Sequence, residues 1–413
     1  MIKRLPIIPS LTVCLLLMVW HCSGPSEPNS ISSVLPRDLT PTEAQLVEST
    51  DKFGLKFFQE IVEQQKDENI FISPLSVSMA LGMTANGAAG TTLEAMRGAL
   101  ELSHLTEEES NKAYQSLIEL LTSADPKVQF DIANSIWYRQ GYGFEQDFYQ
   151  RCQDYFNARV EGLDFNDPAS ADVINAWAEE NTNGLIDQII SADELAAAIM
   201  ALVNALYFKG AWTYEFDPED TRSDEFTLLD GSKVACQMME QENDFEYLET
   251  DHFQAVDLPY GDGLFSMTIL LPTPDFHVDS LVALLTPENW QAWINGFETS
   301  SGLLQLPKFT LEYDILLNEV LEALGMGEAF TGSADFTRML AGGGIWIDFV
   351  RHKTFVKVNE EGTEAAAVTI VVMTDSLPEP LLRVDRPFVF VIRERTSGAL
   401  LFMGKIVKPE WEE

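Results

Sequence analysis

The chain has 413 residues, 46% hydrophobic and 10% aromatic, which is enough to bury a large core and excludes global disorder. Its 26 Lys and Arg face 65 Asp and Glu, a net charge of −39, and a surface that negative repels phosphate backbones and anionic lipid. Nucleic acid is therefore set aside as a partner, and a membrane is reachable only through an added anchor.

Residues 1–22 read as a targeting leader. Lys3 and Arg4 precede a mostly apolar run from Ile7 to Trp20 that is too short to span a bilayer comfortably. The run ends at Cys22 with the polar stretch Ser23 to Asn29 behind it, a layout that resembles a bacterial lipoprotein leader. Export, a bacterial source and Cys22 as the lipidation candidate are the expectations; the protein is then extracellular, secreted or lipid-anchored at the cell surface. A flexible Pro- and Ser-rich tether is expected over 23–43 and a single domain over 44–413. Cys152 and Cys236 are the cysteines of that domain, without CxxC or metal-ligand spacing. They can form one disulfide, and two free thiols are the favoured reading.

Ordered sequence is expected from Ala44, where Phe53, Phe57 and Ile61 recur at helical spacing. Ser73-Pro74 reads as an N-cap followed by proline at the first helical position, opening an apolar helix toward Ala88. Thr91 with Glu94, and Thr106 with Glu109, have capping-box spacing. A helix over Asn175 to Asn183 stops at Gly184. The period then changes: Ile199 to Phe208 is apolar apart from Asn204, as in a strand buried on both faces. Met267 to Leu271 and Leu303 to Leu311 read as strands and Leu316 to Leu324 as a helix. Ile345 to Val350, Thr354 to Val358, Phe388 to Ile392 and Leu400 to Val407 are β segments. Helices dominate the first half and strands the second, so one α+β domain is predicted.

No HExxH, GxSxG, GxGxxG or Walker-type loop is present, and the five histidines are scattered. Neither catalysis, a cofactor nor a metal is expected. The unusual stretch runs from Glu360 to Pro378. Gly362 permits a sharp backbone change, Ala365, Ala366 and Ala367 are small, and Val368 to Val372 are strand formers. Pro378 and Pro380 then forbid a regular central strand. Read alone, this is a strand followed by a loop.

Glu360-Glu361-Gly362-Thr363-Glu364-Ala365-Ala366 resembles the hinge of inhibitory serpins. Arg386-Pro387-Phe388-Val389-Phe390 and Phe402-Met403-Gly404-Lys405 resemble that family's C-terminal signature. Asn69 to Ser76 and Asn204 to Trp212 match in order and spacing. The resemblance implies a serpin fold, a large mixed β-sheet with helices and a mobile exposed reactive-centre loop. It also implies suicide inhibition of a serine protease: the loop is cleaved, the acyl-enzyme is held, and the loop inserts as a new strand. The alternative within the family is a non-inhibitory binding or chaperone module.

The family's hinge maps onto Gly362, Thr363, Glu364, Ala365, Ala366 and Ala367. Counting its usual distance from Glu360 places the reactive bond between Ser376 and Leu377, with Met373 and Leu377 as rival bait positions. A small residue there favours an elastase- or subtilisin-like target, whereas a trypsin-like enzyme prefers Lys or Arg. Strand alternation from Gly362 turns Thr363, Ala365, Ala367, Thr369, Val371 and Met373 inward and Glu364 outward. Ser73, Ser76, Asn204 and His352 match the shutter beneath the opening sheet. Trp212, Lys308 and Glu360 match the breach where the loop enters, with Lys308 and Glu360 as a cross-strand ion pair. The acidic run Thr106 to Glu109 argues against heparin activation, and a monomer is expected.

Overall fold

The computed structural model describes residues 34–363 and 381–411. Helix α1 (Pro41–Gln64) starts ahead of the expected Ala44, because Thr40 and Glu43 close a reciprocal capping box. Leu35 is buried, and Arg37 forms an ion pair with Glu43. The stretch expected as tether therefore belongs to the folded unit at its C-terminal end.

β1 (Ile70–Ile72) leads into α2 (Pro74–Ala85), which is buried along its whole length. α3 (Gly90–Ala99) and α4 (Glu107–Thr122) follow. The Thr106–Glu109 box forms as expected, but Thr91 is no cap. α3 begins two residues earlier than a Thr91 cap requires, at Gly90 with φ +53°, and the Thr91 hydroxyl donates to Glu328 Oε1 at 2.7 Å. β2 (Val128–Arg139), α5 (Gln146–Phe156), β3 (Arg159–Leu163), α6 (Ala169–Asn181), α7 (Ala192–Ala197) and β4 (Met200–Ala211) complete the first half.

Strands then dominate: β5 (Arg222–Thr227), β6 (Lys233–Glu249), β7 (Phe253–Tyr260), β8 (Phe265–Pro272), β9 (Glu298–Pro307) and β10 (Phe309–Leu316). β11 (Phe349–Asn359), β12 (Gly362–Thr363), β13 (Leu382–Arg383), β14 (Phe388–Glu394) and β15 (Leu400–Ile406) end the chain. One sheet runs β1-β15-β14-β8-β7-β6-β9-β13, with β5 also on β6, and the other runs β10-β11-β12-β4-β2-β3. The expected strand Leu303 to Leu311 is thus two strands in different sheets, and Lys308 sits at the crossing. The expected helix Leu316 to Leu324 is regular only over Asn318–Leu321, where Gly325 at φ +103° follows. Phe349 to Val350 and Thr354 to Val358 prove to be one strand, β11, with Ile345 to Asp348 outside it.

The two sheets meet through aromatic rings. Phe402 of β15 contacts Phe130 of β2 and Phe208 of β4, at 5.9 and 5.6 Å between centroids. Each such buried ring contributes roughly 1.5–3 kcal/mol. Gly404 makes the packing feasible, since a Cβ there would lie 2.2 Å from the Phe390 ring.

Candidate functional site

The six-stranded sheet is divided in its middle. β4 and β11 pair in parallel from Ala201 with Phe349 to Ala205 with Lys353. Higher up, β12 stands between them: Gly362 and Thr363 pair antiparallel with Ala211 and Gly210 on one side, and with Asn359 and Val358 on the other. Over 206–209 and 354–357 no ladder joins β4 to β11 among the described residues. The register is shared throughout, for Asn359 is level with Ala211 just as Phe349 is level with Ala201.

Gly362 is required where it stands. Its φ is +139°, and a Cβ would lie 2.2 Å from the Gly210 carbonyl oxygen and 2.7 Å from Ala211 Cα. Thr363 is 1% exposed, the inward orientation expected of it, and its Oγ1 lies 2.9 Å from Tyr260 Oη. The Tyr260 ring stacks on Trp212 at 4.4 Å. Gly210 leaves room for that ring, since a Cβ there would come within 2.9 Å of it.

Trp212, Lys308 and Glu360 are brought together around this strand. Trp212 donates its backbone N–H to Glu361 O at 2.9 Å and its indole N–H to Asn359 O at 3.0 Å. Glu360 accepts from Lys308 Nζ at 2.9 Å and from Thr221 Oγ1 at 2.7 Å, so the expected pair is present and mostly buried. Burial pushes the Glu360 carboxyl up, but Lys308 and Thr221 outweigh it and hold the group below its ordinary value. Asn359 Oδ1 accepts from the N–H groups of Glu361 and Gly362, at 3.1 and 3.2 Å, fixing the turn.

Below the gap lies a second polar cluster. The Ser73 N–H donates to His352 Nε2 at 3.1 Å, so the ring proton is on Nδ1 and is shared with Asn204 Oδ1 at 3.1 Å. Asn204 Nδ2 donates to Ser76 Oγ and to Asn134 Oδ1, the latter at 2.7 Å. Burial holds the imidazole neutral, with its pKa pushed down to about 3. All four expected residues meet here, but Ser73 joins through its backbone, and its hydroxyl has no hydrogen-bond partner.

Sequence reasoning missed Asn134 and Tyr260. Asn134 had a weak signal, an amide between the apolar pairs Ile132-Ala133 and Ile136-Trp137 of a strand-like run; Tyr260 had none. Glu364, Ala365, Ala366, Ala367, Ser376, Leu377 and Cys22 lie outside the described residues. Cys152 and Cys236 are both free and buried. No helix among the described residues is long and apolar enough to cross a membrane.

The family model described as Serpin (serine protease inhibitor) matches residues 48–409. The chain belongs to the serpin family. Neuroserpin from Homo sapiens is 36% identical over 357 residues, which cover 84% of this chain and 87% of that protein. The solved structure of native protease nexin-1 with heparin is 30% identical with a TM-score of 0.81, covering 89% of this chain and 100% of the other. Human thyroxine-binding globulin complexed with thyroxine is 26% identical with a TM-score of 0.83, covering 90% and 100%. The fold is therefore the serpin fold, and the family is one of inhibitors, not catalysts. Matched neuroserpins come from Homo sapiens, Gallus gallus, Rattus norvegicus and Mus musculus, so the bacterial source read from the leader finds no support among them. Nor does the family support excluding heparin, since protease nexin-1 was solved with it.

Proposed function

We propose that this serpin inhibits a serine protease irreversibly, by cleavage of its reactive loop, retention of the acyl-enzyme and insertion of the loop as a strand between β4 and β11. The observation that carries the reading is the gap between those strands, with Gly362 and Thr363 seated as the first rung of a strand antiparallel to both. In the proposed step the protease serine attacks the Ser376 carbonyl, the Ser376–Leu377 bond breaks, and Leu377 leaves as a new N-terminus. Continuing the shared register then brings Ala365 level with Phe208 and Val356, Ala367 level with Leu206 and Thr354, and Thr369 level with Asn204 and His352. In the inserted strand, alternation would turn these side chains inward, and they are small enough to be covered.

At about 3.3 Å per residue, the strand from Thr363 to Ser376 carries the protease roughly 40 Å along the sheet. With about 1 kcal/mol net per new ladder bond the gain is on the order of 10 kcal/mol, comparable with the stability of a whole domain. The uncleaved form is accordingly metastable. Ser376 favours an elastase- or subtilisin-like target, and the leader favours export. The likeness to thyroxine-binding globulin supplies a second reading, a serpin that binds a ligand without trapping a protease.

Incubation with a panel of serine proteases separates the two. A one-to-one adduct stable in SDS, with a released C-terminal peptide that begins at Leu377, is expected. Cleavage without adduct overturns inhibition, and a peptide beginning at Thr374 moves the reactive bond.

A further inference from the structure

β10 is an edge strand: it ends the six-stranded sheet, with β11 on one side and no strand on the other among the described residues. In an antiparallel pair, successive residues direct their N–H and C=O groups alternately toward the partner and away from it. The Thr310 N–H donates to Glu410 O at 2.6 Å, on the side away from β11. The groups of Glu312 and Asp314 therefore point the same way, whereas the Leu317 N–H, an odd position, goes to Val350 O of β11 at 2.9 Å. Near its start the edge already takes the C-terminal tail as a backbone partner. At Glu312 and Asp314 no described backbone group meets it. A groove of about 930 Å³ runs there instead, lined by 311–314, by 64–69 between α1 and β1, and by Val407, Lys408 and Glu410.

Charge decides what fits beside this edge. The groove carries five carboxylates, on Asp67, Glu68, Glu312, Asp314 and Glu410, and two ammonium groups that are already in ion pairs with Glu63 and Glu410. Glu312 and Asp314 are exposed on the outer face, while Leu311 and Tyr313 are buried on the inner one. A second copy pairing edge to edge would set these acids against their own counterparts, which is unfavourable. We propose that the free edge of β10 is a docking site for an extended basic segment of another protein, added to the sheet as an antiparallel strand. Lys or Arg of that segment comes level with Glu312 and Asp314, and an apolar residue between them comes level with Tyr313, on the inner face. The backbone groups of Glu312 and Asp314 hold the segment, and the alternating side chains select it. The site lies at the level of Lys353 and Phe355 of β11 and does not rest on the insertion reading.

The probe is a dye-labelled peptide, acetyl-Val-Lys-Val-Lys-Val-amide, titrated against the full chain and followed by fluorescence anisotropy. Saturable binding is expected, weakening severalfold as salt rises from about 0.05 to about 0.5 M. The same peptide with Glu in place of Lys should not bind. Methylating the backbone nitrogen of either Lys, whose N–H faces the edge, should weaken binding about fivefold, and methylating the central Val, whose N–H faces away, should cost little. Lys353 and Arg351 already share the carboxylates of Glu312 and Asp314, so Glu312→Gln should weaken binding only about two- to fivefold. Glu312→Pro removes one outward N–H and no bond to β11, and should weaken it about tenfold or more. The methylated peptides carry the test without touching the fold. Absence of binding at low salt overturns the proposal, and so does a methyl on Lys that costs no more than one on Val. Self-association of the chain in sedimentation runs, competed away by the peptide, would give the edge to a second copy and overturn it as well.

Discussion

Replacing Thr363 by arginine should turn the inhibitor into a substrate. Thr363 is 1% exposed, and its hydroxyl is spent on Tyr260. The Tyr260 ring is closed in by Trp212 at 4.4 Å and by the edge of Phe208 at 5.3 Å, so the space around Oγ1 is aromatic and full. A guanidinium in that position loses its hydration without gaining a counter-charge, and a cost of about 3 kcal/mol is a low figure for such burial. Loaded on the first rung, about 3 kcal/mol slows insertion by roughly two orders of magnitude. Deacylation of the protease is untouched, so the acyl-enzyme is hydrolysed before the strand has formed. The assay is the number of inhibitor molecules consumed per protease inactivated, which should climb roughly tenfold or more. Ala366→Arg is the control, since alternation turns residue 366 to the solvent face; it should trap as the parent does. If Thr363→Arg keeps one-to-one trapping, or if both variants fail alike, the assignment of inward and outward faces is wrong.

Gly362→Ala should also impair trapping, because its Cβ would lie 2.2 Å from the Gly210 carbonyl oxygen and prevent the first rung from seating; unchanged inhibition would show that the rung is dispensable. Nicking the loop with a protease that is not trapped should raise the melting midpoint by on the order of 20 °C, and an unchanged midpoint speaks against strand insertion. His352 provides a pH test. Its pKa is about 3 when folded against 6.5 for the free group, so stability is full above pH 6.5 and falls as the pH drops toward 3. By pH 5 the loss is about 2 kcal/mol, which His352→Gln should escape. Denaturant titrations of the two proteins should therefore converge between pH 7 and pH 5, and a constant difference would mean that the buried ring is not held neutral.

Much of the fold was legible because local signals and tertiary context agree. The Thr106–Glu109 box needs only its own turn, and it forms. Thr91 and Glu94 have the same spacing, but α3 already starts at Gly90 behind an Ala89 cap, two residues sooner, which places Thr91 inside its first turn. Leu303 to Leu311 misleads for another reason. Alternation continues across Pro307 and Lys308, yet the chain there passes from one sheet to the other, and Lys308 N–H turns to Gln237 O at 2.8 Å. Periodicity reports which face is buried and not which sheet does the burying. Lys308 gains its meeting with Glu360 from that corner.

The hinge shows where such reading runs out. Its small residues and β-branched run declare that a strand is allowed, whereas whether one exists depends on two edges supplied from elsewhere in the chain. Those edges are β4 and β11, and their shared register cannot be inferred from either sequence alone. Tyr260 is hidden for the same reason: nothing near the end of β7 signals that its hydroxyl reaches Thr363. What the local sequence does encode is restraint. Gly362 admits a turn no other residue fits, Asn359 ties the N–H groups of Glu361 and Gly362, and Pro378 and Pro380 bar the far end from a regular central strand. A segment built this way can begin a strand at Gly362 and Thr363, and the proposed insertion would extend it once the loop is cut.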